Sequence, residues 1–147
     1  MKKKLLVLFG ANMDLMGKSQ TNIYGDASLE ELIKKMEEYA QERGFEITAF
    51  HSNIEGELVD KIHAARGCCE GIIINAGSYS VYSYAIRDAL YASMVPCIET
   101  NQTNIYAREE FRGRSVLSDV CVGEITGFGQ AVYLMAIDGM AHLLKGV

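Results

Sequence analysis

Apolar positions along this chain recur with two periods that alternate from end to end. Lys4 to Phe9 is an unbroken apolar run after one lysine, the pattern of a strand buried on both faces. Ser28 with Glu31 three residues on forms a capping box, which opens a helix to about Arg43, where Gly44 stops it. Glu46 to Phe50 alternates like a half-exposed strand, and Ile54, Leu58 and Ile62 then recur at helical spacing. Gly71 to Ile74 is a short, wholly apolar strand. Tyr84 to Ala92 reads as helix, Val95 to Ile98 and Val120 to Ile125 as strands, and Gln130 to Leu144 as the closing helix. Strand and helix alternate throughout, which predicts an α/β fold with a doubly wound, five-stranded parallel sheet and helices on both faces. There is no internal repeat, low-complexity tract or linker, so residues 1–147 read as one domain.

Each apolar run stops at a polar cluster. The clusters fall in residues 9–25, 72–90, 96–112 and 122–129, and in open α/β sheets ligands bind outside the carboxyl ends of the strands. Asn12, Tyr24, Asn75, Glu99 and Arg112 are therefore expected at one end of the sheet. The loop from Gly10 to Gly25 is long for a connection without structure of its own. It is either an active-site lid or a surface excursion whose Tyr24 packs on the core. It contains neither a Walker A nor a GxGxxG pattern, which excludes a phosphate cradle of either kind. Asn75 can orient a hydroxyl or carboxylate, or it can tie down its own turn. Arg108 and Arg112 either decorate an exposed turn of alternating charge or present planar forks to an anionic ligand.

Composition narrows the function classes. The net charge is −5 and the only basic run is Lys2-Lys3-Lys4, which argues against nucleic acid as a partner. No apolar run approaches the roughly 18 residues of a membrane span. LLVLF after the lysines is too short for a secretory h-region and runs straight into Gly10, so it is read as strand and the protein as cytoplasmic. Cys68, Cys69, Cys97 and Cys121 show no CxxC spacing, and His51, His63 and His142 make no HxxxH pair, so no metal is expected.

Taken together, the motifs resemble type II 3-dehydroquinate dehydratase. GANMDLMG is similar to that family's NGPNLNLLG loop, NIYG to its tyrosine motif, SNIEGELVDKIHAA to its second helix and IIINAGSYS to its IIINPGAYT turn. AIRDAL, the glutamate of IET, NIYAREEFR and the GFG turn also match, so the resemblance covers nearly the whole chain. It implies a flavodoxin-like domain that assembles as trimers and then as a dodecamer. It also implies elimination of water from 3-dehydroquinate, in the shikimate and quinate pathways, without cofactor, metal or lysine Schiff base. Carried over by position, Tyr24 is the base that forms an enolate, and Arg108 and Arg112 help to hold it as phenolate. Asn12 positions the water that stabilises the enolate oxygen. Asn75 and the backbone around Gln102 and Thr103 hold the substrate, Glu99 orients the general acid, and Asp88 supports the lid of a neighbouring subunit.

Three departures fall inside that site. The family's lid arginine corresponds to Ser19, its substrate-binding histidine to Val81 and its general-acid histidine to Asn101. An amide has no titratable proton near neutral pH, and general acids contribute roughly 10²–10⁴ fold. Without the lid cation, Tyr24 is expected closer to a free phenol, whose pKa is roughly 10. Lys18 is the adjacent candidate for a replacement charge. Tyr82, Tyr84 and Tyr106 either pack beside the altered positions or reshape the pocket. Three readings follow: a 3-dehydroquinate lyase, a paralogue acting on another small hydroxy or keto acid, or a non-catalytic binding or assembly protein. The joint retention of Asn12, Tyr24, Asn75, Glu99 and Arg112 argues against the last. The expected partners are a small carboxylate substrate and further copies of the chain.

Overall fold

The computed structural model describes residues 1–19 and 26–146. The strands are β1 (Lys3–Phe9), β2 (Phe45–His51), β3 (Gly71–Asn75), β4 (Cys97–Asn101) and β5 (Gly123–Thr126), and the helices are α1 (Leu29–Glu42), α2 (Glu55–Ala65), α3 (Tyr84–Ser93) and α4 (Ala131–Lys145). The strands form one parallel sheet in the order β2-β1-β3-β4-β5, the flavodoxin-like order. Side chains alternate across it. Leu5, Val7 and Phe9 face a core shared with α1 and α4, whereas Leu6 and Leu8 face α2 and α3. That two-sided burial is why β1 reads as continuous apolar sequence.

The expected helix signals operate as physics requires. Ser28 Oγ accepts from the Glu31 N–H at 3.1 Å, and Gly44, at φ +80°, ends the helix in a conformation that other residues rarely adopt. Two strand boundaries move. The fourth strand runs Cys97–Asn101 rather than 95–98, because Pro96 has no N–H for a ladder, although its carbonyl accepts from Ile72 at 2.9 Å. The fifth begins at Gly123 rather than at residue 120, because Ser118–Val120 closes as a 3-10 turn. The strand order reverses between β1 and β3, and pairing of Phe9 with Asn75 brings the carboxyl ends of both to one level.

Candidate active site

At that switch point the chain leaves β1 in contact with the end of β3. Gly10 N–H donates to Asn75 O at 2.7 Å, and a Cβ on Gly10 would lie 2.2 Å from Ala76 O. No other residue fits there without moving one of the two strand ends. Asn12 follows with left-handed backbone at φ 70°, its N–H donating to Asn53 Oδ1 at 2.8 Å. Tyr79 in turn donates its hydroxyl to Asn53 O at 2.6 Å. The start of the loop is thus held from two elements.

Asn75 ties down its own turn, one of the two readings that its sequence left open. Its Oδ1 accepts from Gly77 N–H at 3.1 Å, which ties down the turn, and its Nδ2 donates to Tyr133 Oη at 2.8 Å, which aims the amide. Tyr133 of α4 is fully buried. Nothing in the apolar stretch around it distinguishes Tyr133 from a core residue, so this orienting contact was not legible in the sequence.

A cavity of about 380 Å³ opens here, and Asn12, Asn75, Asn101, Gln102, Thr103, Arg108 and Arg112 all line it. Ser19 and Val81, two of the three departures, line it as well. The described lining carries two arginines and no acidic side chain, so its charge suits an anion. Arg108 Nη1 donates to Thr103 Oγ1 at 3.3 Å, and Arg112 Nε to Glu109 Oε2 at 2.9 Å. Gly129 N–H donates to Gln102 O at 2.9 Å, and Thr126 Oγ1 to Thr103 O at 2.9 Å, so the turn after β5 pins this wall.

Glu99 stands behind the wall rather than on it, 1% exposed. Its carboxyl accepts from Ser115 Oγ at 2.8 and 2.9 Å, from Ser118 Oγ at 2.8 Å and from Asn101 Nδ2 at 3.4 Å. Burial pushes its pKa up, and the two serine hydroxyls pull against that. Among these partners the sequence had singled out only Asn101.

Other expected residues fall elsewhere. Tyr24 lies outside the described residues. Asp88 is exposed on α3, off the cavity wall of its own chain. Lys18 is exposed and is not a lining residue. Tyr82, Tyr84 and Tyr106 are 58%, 68% and 68% exposed and are not among the described residues that line the cavity; Tyr82 packs on the Tyr79 ring, with centroids 5.7 Å apart. Among the described residues, no group of three His, Cys, Asp or Glu side chains could hold a metal ion.

Comparison with known proteins places this geometry. The model of the family described as dehydroquinase class II matches residues 3–141. A 3-dehydroquinate dehydratase of Caldicellulosiruptor bescii is 48% identical over 143 residues, which is 97% of this chain and 99% of that protein. One from a Nitratiruptor species is 44% identical over 144 residues, covering 98% of this chain and 92% of the relative. The crystal structure of a type II dehydroquinase from Butyrivibrio crossotus superposes with a TM-score of 0.92 at 42% identity, covering 95% of this chain and 97% of that one.

Proposed function

Because this chain belongs to the class II dehydroquinase family, we propose that it is a hydro-lyase that eliminates water from 3-dehydroquinate, with Tyr24 as the base. The observation that carries the reading is the cavity at the sheet's switch point, which has the size of a small-ligand site and whose described lining holds two arginines and no acid. Arg108 and Arg112 favour the Tyr24 phenolate, which takes the proton from the carbon beside the ketone. Asn12 positions the water that stabilises the enolate oxygen, and Asn75, aimed by Tyr133, holds the substrate with the Gln102–Thr103 backbone. The C–O bond then breaks with its electron pair on the departing oxygen, which takes up a proton and leaves as water. No cofactor takes part.

The enzyme works as a homo-oligomer. Tyr84, Asp88 and Tyr91 recur at helical spacing on the outer face of α3, with the two tyrosines 68% and 73% exposed. A partner subunit covering that stripe would bring Asp88 to a neighbouring lid, whose span is residues 10–25 of the single domain 1–147. Among the described residues no helix is long and apolar enough to cross a membrane, and we place the protein in the cytoplasm.

Appearance of the conjugated enone, followed by ultraviolet absorbance, tests the reading. Wild type is expected to turn over 3-dehydroquinate more slowly than a relative with a histidine at position 101, and Tyr24→Phe is expected to abolish turnover. Ser19→Arg, Val81→His and Asn101→His together should raise the rate by about 10² fold or more. That all three departures line the cavity also favours a second reading, a lyase or isomerase of another small hydroxy or keto acid. A folded but inactive triple variant would favour it, and native turnover that survives Tyr24→Phe would sink both.

A further inference from the structure

The elimination needs a proton at the departing oxygen, and residue 101 on the cavity wall is an amide. Two glutamates stand behind it. β4 and β5 run in a register that makes Glu99 and Glu124 direct partners, and Glu99 shares its face of the sheet with Asn101, two residues on. Like charges opposite one another across two strands repel. Neither carboxyl forms an ion pair among the described residues.

What lies between them is the Ser118 hydroxyl, which contacts Glu99 Oε1 at 2.8 Å and also contacts Glu124 Oε2. A hydroxyl has one hydrogen. Ser118 Oγ is placed as donor to both carboxyl groups, so its one hydrogen is divided between them, and a proton on one carboxyl would relieve that competition by letting it donate instead. Ser115 cannot relieve this, because its single hydrogen goes to Glu99 while its oxygen accepts from Leu117 N–H at 3.0 Å. Among the described residues, the groups around the pair do not neutralise it either. Tyr106 hydrogen-bonds Glu124 and is itself pushed up by that negative charge. The Cys97 thiol, deep beside Glu99, is pushed up by burial. Asp119, on the same turn as Ser118, is held low by Arg87 of α3, so that cation is already engaged.

We propose that Glu99, which faces Glu124 across the two strands with Ser118 between them, holds a proton behind Asn101 and supplies it to the departing hydroxyl, a role that rests on the dehydratase reading above. A carboxyl O–H bond breaks and its proton passes through a water beside Asn101 to the departing oxygen. The C–O bond breaks with its electron pair on that oxygen, and water forms. The carboxyl pair then regains a proton from solvent, to which Tyr24 releases the one that it took from carbon, so the cycle balances. Glu124 lies outside the cavity wall and is a positioning residue, acting through Glu99.

Two measurements test this. In the infrared, wild type labelled at glutamate should show the C=O stretch of a protonated carboxyl at neutral pH. Glu124→Gln should move the midpoint of that band's titration toward acid. In steady-state kinetics with 3-dehydroquinate, Glu124→Gln should lower kcat about 10-fold or more above neutrality and shift the alkaline limb of its pH profile toward acid, with KM little changed. Absence of the band from wild type, or a pH profile that Glu124→Gln leaves in place, would overturn the proposal. Failure of wild type to turn over 3-dehydroquinate at any pH would overturn the dehydratase reading and the catalytic step with it, while the infrared arm still reads whether the pair holds its proton.

Discussion

Glu99 shows how one residue couples this site to the stability of the whole protein. Its carboxyl is buried, and burial holds its pKa above the ordinary glutamate range. The folded protein therefore binds this proton more tightly than the unfolded chain does. The stability that results is complete below the unfolded value and is lost as pH rises through the folded one. Glu99→Gln, which cannot ionise, should remove that slope. Its urea midpoint relative to wild type is expected to rise with pH from the ordinary carboxylate range upward. Parallel curves for the two proteins across that interval would show that the carboxyl ionises as freely when folded as when unfolded.

Among the elements, the contact between the ends of β1 and β3 sets the positions of Asn12 and Asn75 together. Gly10→Ala would drive a methyl into the Ala76 carbonyl, 2.2 Å from the new Cβ. The expected cost is about 1–3 kcal/mol of stability with a fall in kcat, because relieving the clash displaces both asparagines. Gly56 in α2 is the control. A Cβ there meets nothing within 4 Å, so Gly56→Ala should stabilise by about 0.5–1 kcal/mol and leave kcat alone. Chemical denaturation of the two variants, read beside their rates, separates local clash from a general intolerance of substitution.

At the scale of the whole molecule, the exposed stripe of Tyr84, Asp88 and Tyr91 is more apolar than a solvated helix face requires. If it is a subunit contact, Tyr84→Asp with Tyr91→Asp should convert a trimer, or a multiple of it, into monomers in sedimentation. Activity should fall with assembly, because Asp88 then has no neighbouring lid to support. A double variant that sediments like wild type would remove α3 from the interface. Wild type that is monomeric at micromolar concentration would remove the oligomer itself.

The sequence by itself determined the order of elements, the parallel sheet wrapped by helices on both faces and the end of the sheet where chemistry collects, because those follow from local periods and from where apolar runs stop. It also put Asn12, Asn75, Arg108 and Arg112 in the segments that follow strand ends, and the family resemblance added Asn101, Gln102 and Thr103; all seven line the cavity. The strand boundaries near residues 95 and 120 were not legible, because a proline's missing donor and a 3-10 turn act only against a neighbouring strand. Tyr133 was silent because an apolar helix looks the same whether or not one hydroxyl aims an amide. Glu124 was silent for a related reason: its meaning depends on its register with Glu99 and on a serine six residues earlier, and pairing between strands distant in sequence is decided only when the sheet assembles.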